Sequence, residues 1–213
     1  MKKSFIIFRI ILVAASFLLA IWVYPQLPQI MPIHWNIEGV ADGFGDKSRY
    51  VWLLPVISLA MLIFMPLLAK IDPKKANYQE FALHWEAMQT TLILVMQFIF
   101  FLQIHFSLNP SQSDFMGNYM LVGIGFLFII FGYLMSKIKQ NYFIGIRTPW
   151  ALENTDNWDK TQKLGGFIMA LGGVIMVVCG IFSYLNTYLL LTIFIFMVFI
   201  PMLYSYLLFK GKH

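Results

Sequence analysis

Charge is scarce in this chain. Only 12% of its 213 residues are Asp, Glu, Lys or Arg, against roughly a quarter in a soluble domain, and that shortage excludes an ordinary water-soluble fold. Cysteine is scarcer still: Cys179 stands alone, so no internal disulfide can form and the redox compartment is unreadable. The apolar stretches also lack the sets that intramembrane hydrolases need, which are a Ser with a His, paired Asp residues, or His-Glu-x-x-His around zinc. His84 precedes Trp85-Glu86 without a second ligand at metal spacing. Glu153, Asp156 and Asp159 have neither a nucleophile nor a phosphate-binding glycine loop beside them. The expectation is no catalytic residue, no metal and no cofactor.

What is plentiful is hydrocarbon. The chain is 60% hydrophobic with a mean hydropathy of +0.73, and a bilayer span needs roughly 20 mostly apolar residues. Six stretches qualify, at 5–24, 51–69, 87–107, 118–136, 164–183 and 188–208. The first follows Lys2-Lys3 in the manner of a signal peptide, but its length and the lack of a small-residue cleavage pattern predict a retained helix. The fold class expected is an all-α integral membrane protein of six transmembrane helices. Arg9 is the only formal charge inside these limits, and as one long side chain near a helix start it is expected to snorkel to the headgroups.

Orientation follows from the basic residues. Thirteen Lys and Arg fall in the N-terminal end, the 70–86 and 137–163 connections and the tail, against two, Lys47 and Arg49, in the 25–50 loop. The positive-inside rule then places both termini in the cytoplasm and leaves one extracytoplasmic loop of about 26 residues. The net charge of +5 is thereby topological, and no direct nucleic-acid partner is needed to explain it. Two regions result: 1–70, two helices with the 25–50 loop between them, and 71–213, four helices with the 137–163 loop.

In the outer loop, Pro25, Pro28 and Pro32 keep the chain extended or turning, and the alternation of 33–37 suits a short strand. Gly39, Gly43 and Gly45 predict tight turns. His34, Glu38, Asp42 and Asp46 recur every four residues, which leaves open a solvated loop, a structural cation or a pH-responsive His34. On the third helix Gln89, Gln97 and Gln103 share one face, with His105 near the outer end. That stripe is either interhelical packing or an intramembrane polar path. Rows of small residues, Gly123, Gly125 and Gly132 on the fourth helix and Gly166, Ala170, Gly173 and Gly180 beside Gly165, Gly172 and Cys179 on the fifth, permit close backbone approach within the chain or between copies.

The least ordinary stretch is 140–158, Gln-Asn-Tyr-Phe-Ile-Gly-Ile-Arg-Thr-Pro-Trp-Ala-Leu-Glu-Asn-Thr-Asp-Asn-Trp. Aromatic and apolar side chains are mixed there with Asn141, Gly145 and a lone Arg147. Pro149 forces Thr148 out of the right-handed helical region. Arg147 either anchors the loop at the interface or binds a carboxylate, a phosphate or a free carbonyl.

The run Asn141-x-x-x-Gly145-x-Arg147-Thr148-Pro149-Trp150, with Trp158 eight residues on, resembles the signature of the SdpI family of bacterial membrane proteins. Upstream, Pro32-Ile33-His34-Trp35-Asn36 with Gly39, Asp42-Gly43 and Lys47 resembles the DUF1648 domain often fused to it. The resemblance implies immunity to an extracellular toxin peptide, and in some members recruitment of a cytoplasmic repressor protein to the membrane. It also implies an outer ligand-binding site at Pro32, His34, Trp35, Asn36, Gly39 and Asp42. The inner site it implies comprises Asn141, Gly145, Arg147, Thr148, Pro149, Trp150 and Trp158. The alternative is a small transporter or channel using Gln89, Gln97, Gln103 and His105.

Overall fold

Six helices long and apolar enough to cross a membrane run through the chain: α1 Lys3–Val23, α2 Lys47–Ile71, α3 Ala82–Leu108, α4 Met116–Met135, α6 Thr155–Ile181 and α7 Thr187–Lys210, with a short α5 Pro149–Glu153 between α4 and α6. The computed structural model describes residues 3–36, 39–184 and 186–211, with the backbone alone at 113 and 114. The protein is a multi-pass membrane protein of the cell membrane. Its helices start earlier than hydropathy alone predicts, and for α2, α6 and α7 the start is set by a polar cap outside the apolar run. Asp46 accepts from the Ser48 amide at the head of α2, Asn154 from Asn157 at the head of α6, and Asn186 from Leu189 at the head of α7. Trp158 therefore sits in a helix, not in the loop that precedes it.

The α4–α6 pair is the closest in the bundle. A Cβ on Gly132 would lie 2.4 Å from the carbonyl oxygen of Gly166, and one on Gly125 2.7 Å from that of Gly173. The row Gly166, Ala170, Gly173 and Gly180 thus faces α4 within the same chain. Gly165 and Gly172 face the other way, against Pro201 and against Ile193 and Met197 of α7. Since lipid tails are as apolar as leucine, close van der Waals packing of this kind, not hydrophobic exclusion, holds membrane helices together.

Between α1 and α2 the chain forms an antiparallel hairpin, β1 Ile30–Trp35 with β2 Ala41–Asp46. Gly43 and Gly45 lie inside β2, where turns were expected. Their lack of a side chain is used: a Cβ on Gly43 would meet the Cβ of His34 at 2.8 Å, and one on Gly45 the ring of Tyr50 at 2.2 Å. The register slips on either side of His34, as a bulge would make it do. Lys47 fastens the hairpin to α1 by donating to the carbonyls of Tyr24 (3.1 Å) and Leu27 (2.7 Å) while lying over the Tyr24 ring.

Arg9 departs from expectation. It is 1% exposed and pairs at 2.5 Å with Glu86 of α3. Because α3 begins at Ala82, five residues before the predicted span, Glu86 falls within the helix and supplies the counter-charge that makes snorkelling unnecessary.

Candidate functional site

Among the described residues the 137–154 connection is densely bonded, and Asn141 is its centre. Fully buried, its side-chain oxygen accepts from the amides of Phe143 (2.9 Å) and Ile144 (2.7 Å), while its nitrogen donates to the carbonyls of Lys139 (2.9 Å) and Ile144 (3.1 Å). One side chain thereby fixes the turn locally, in the manner of an Asx turn. Gly145 follows with φ +100°, a left-handed conformation that glycine adopts at no steric cost. A Cβ there would lie 2.7 Å from Gln162 Oε1. The Gln162 amide needs that room, since it accepts from Ile146 N (3.0 Å) and donates to Ile146 O (2.9 Å).

Thr148 caps α5, its hydroxyl accepting from Ala151 N, and bonds Ser205 of α7 at 2.6 Å. Asn157 extends this contact: it donates to the Ser205 carbonyl and accepts from the hydroxyls of Ser205 and Thr161. Pro149 takes the first turn of α5, where its missing N–H has no cost. Trp158 is fully buried in an aromatic cluster with Tyr78, Phe81 and Trp85, and its indole donates to Ile138 O at 2.9 Å. The other predicted residues are less enclosed: Gly145 is half-buried and Pro149 exposed. Arg147 is exposed and donates to the carbonyl of Tyr142. Trp150 is half-buried, its ring 5.1 Å from that of Tyr206.

Several members of the network carry no mark in the sequence. Asp72, closing α2 and only 2% exposed, accepts from Tyr142 N (2.9 Å), Tyr78 Oη (3.1 Å) and Lys74 N (2.7 Å). Burial first, and then the adjacent Asp72 carboxylate, raise the Tyr78 phenol far above its ordinary pKa, so it stays a neutral donor. Gln140 donates to the carbonyls of Ala151 and Leu152 and accepts from Lys74, whose ammonium also lies over the Tyr142 ring. The one available signal was a polar residue, Asp72, placed directly before a proline at the end of an apolar run.

At the other end of the bundle the hairpin divides the outer candidates. His34 and Asp42 face solvent together, Nδ1 and Oδ1 2.5 Å apart. Trp35 turns inward beside Leu102, Phe106 and Met116. Asn36 and Gly39 form the turn, with Val40 N donating to the Asn36 side chain and Gly39 at φ +84°. Pro32 is half-buried within β1, opposite Phe44. Glu38 lies outside the described residues, and Asp46 caps α2 away from the His34–Asp42 pair, so the described members of the fourfold spacing do not gather into one cluster. Ser48, through its hydroxyl and then its amide, and Gln29 hold the Asp46 carboxyl below its ordinary pKa.

The α3 stripe is not continuous. Gln97 donates across to Ser58 of α2 (3.0 Å), Gln89 bonds its own helix at Trp85 O (3.3 Å), and His105 meets Gln112 (3.2 Å). Gln103 Oε1 is buried without a partner among the described residues.

Both loops coincide with known sequence patterns. Residues 137–205 match the SdpI/YfhL protein family, and residues 11–59 match a domain of unknown function, DUF1648. The first of these matches marks a region similar to the SdpI family. That region runs from the end of α4 through the Asn141 loop to Ser205, so it takes in the Thr148–Ser205–Asn157 contact from both sides. Immunity protein SdpI of Bacillus subtilis (strain 168) is similar to this chain, 29% identical over 184 residues that cover 86% of this chain and 84% of that protein. No solved structure matches.

Proposed function

We propose that the protein confers immunity to a secreted killing peptide. The observation that carries this is the likeness to an immunity protein along 86% of the chain, a length that takes in parts of both the SdpI-family match and the DUF1648 match. The orientation belongs to the same reading: thirteen Lys and Arg against two favour cytoplasmic termini, with the hairpin outside and the Asn141 loop inside. The exposed His34–Asp42 pair is then the candidate contact for the peptide. Arg147 and Trp150, neither of them buried, form the surface on which a cytoplasmic repressor would dock if the protein also signals.

A sensitive Gram-positive host expressing the chain, challenged with membrane-active killing peptides, tests the proposal. Wild type protects, and His34→Ala and Arg147→Ala at matched abundance protect less. A second reading, a small transporter, draws on the unpartnered Gln103 Oε1. No protection against any peptide, together with solute or ion flux lost in Gln97→Leu and Gln103→Leu, would replace the first reading with the second.

A further inference from the structure

Two apolar grooves flank Trp150. One, of about 490 Å³, lies between α4, α6 and α7 and is lined by Phe128, Met169, Phe194 and Val198, with Arg147 at its lip. The other, of about 480 Å³, runs along α7 past Ile195, Phe199 and Tyr206. Trp150 and Met202 line both and form the ridge between them. Each has about three times the volume of the ~150 Å³ cavity that takes up benzene.

We propose that these grooves and Arg147 seat one anionic two-chain phospholipid, an acyl chain on either side of the Trp150–Met202 ridge and the phosphate on the guanidinium. The walls decide against an extended peptide. A polypeptide in an apolar groove must satisfy its own backbone N–H and C=O groups. The side chains that line these grooves are apolar except for Arg147, the bonded Thr148 hydroxyl and the Trp150 and Tyr206 tips. Acyl chains bring no such groups. Charge supplies the other half of the fit. Arg147 is exposed and uses one nitrogen on Tyr142 O, which leaves the rest of its planar fork for a phosphate.

Because a groove wall is no more apolar than lipid tails, chain burial adds little selectivity between two-chain lipids of equal chain length. Discrimination rests on Arg147 and on the pair of chains. The inference is independent of immunity, since it concerns binding to the purified protein.

Native mass spectrometry of the full chain released from detergent, with lipid titrated in, measures it. Phosphatidylglycerol is expected to bind about tenfold more tightly than phosphatidylcholine, and single-chain lysophosphatidylglycerol about tenfold more weakly than phosphatidylglycerol. Arg147→Gln abolishes the headgroup preference. Val198→Trp, which fills one groove from a residue already 51% exposed, weakens phosphatidylglycerol with Arg147 intact and keeps the test valid should Arg147→Gln fail to fold. Equal binding of the three lipids to wild type means ordinary boundary lipid and overturns the proposal. So does competition by millimolar sodium phosphate alone, which would assign Arg147 to a soluble anion, or a headgroup preference that survives Arg147→Gln.

Discussion

Glu86→Leu is the sharpest perturbation the bundle offers. Arg9 and Glu86 expose 1% and 3% of their side chains and meet at 2.5 Å, while Arg9 Nε and Nη1 have no hydrogen-bond partner among the described residues. Removing the carboxylate leaves a buried guanidinium without its counter-charge, and breaking a buried pair in this way costs about 3–5 kcal/mol. For a chain of this length each kcal/mol moves the melting temperature by about 2–4 °C. The variant in mild detergent should therefore melt about 6–20 °C below wild type. The double variant Arg9→Met/Glu86→Leu removes both charges, and exchanging a buried pair for apolar groups of similar volume is often neutral or stabilising. It should recover most of the loss and give a coupling energy of several kcal/mol in the double-mutant cycle, well above the ~0.5 kcal/mol scatter of independent sites. If Glu86→Leu melts within 2 °C of wild type, or the double variant is no better than the single one, Arg9 reaches the headgroups and the pair has no structural role.

Asn141→Ala removes the acceptor for two loop amides and should cost about 3 kcal/mol, read as a lower melting temperature; Arg147→Ala, exposed in the same loop, should cost less than ~1 kcal/mol by the same assay. Gly132→Ala drives a methyl into the Gly166 carbonyl at 2.4 Å, whereas Gly123→Ala meets only the Phe98 ring edge at 2.3 Å. The first should destabilise by ~2 kcal/mol or more and the second less, because a ring can rotate and backbone in a packed pair cannot. Asp46 has a pKa lowered from 3.8, so its cap stabilises the α2 start above pH 3.8 and is lost as pH falls through the lower folded value. Amide exchange at Ser48, corrected for intrinsic rate, should accelerate at the acid end in wild type, and Asp46→Ala should show the accelerated rate at neutral pH.

The spans were legible because a bilayer imposes one simple rule on composition, and the six apolar runs obey it. Their ends were less so: α3 and α6 extend through residues outside the apolar runs, Glu86 and Trp158 among them, whose burial depends on neighbours that hydropathy does not see. That is why Arg9 read as an anchor. In the 140–158 stretch, Pro149 and Gly145 announced a break in helix, since their backbone preferences are local. The partners that hold the loop are not local. Asp72 lies 70 residues from Tyr142, and Ser205 lies 57 from Thr148, so neither can be inferred from spacing. The hairpin was half visible: alternation marked β1, but the glycines of β2 looked like turns because the bulk of Tyr50 and His34 that requires them is brought there only by folding.

Helix α2 begins at a carboxylate that holds the hairpin and finishes at another that holds the Asn141 loop: Asp46 bonds Gln29, just before β1, and Asp72 bonds Tyr142 N. Its 25 residues span about 37 Å, so a single rod is clamped at both faces of the membrane. Sliding that rod along its axis must either carry the Tyr142 turn with it or break a buried charged bond. Pro55 and Pro66 each remove a rung of the helix ladder between the two clamps.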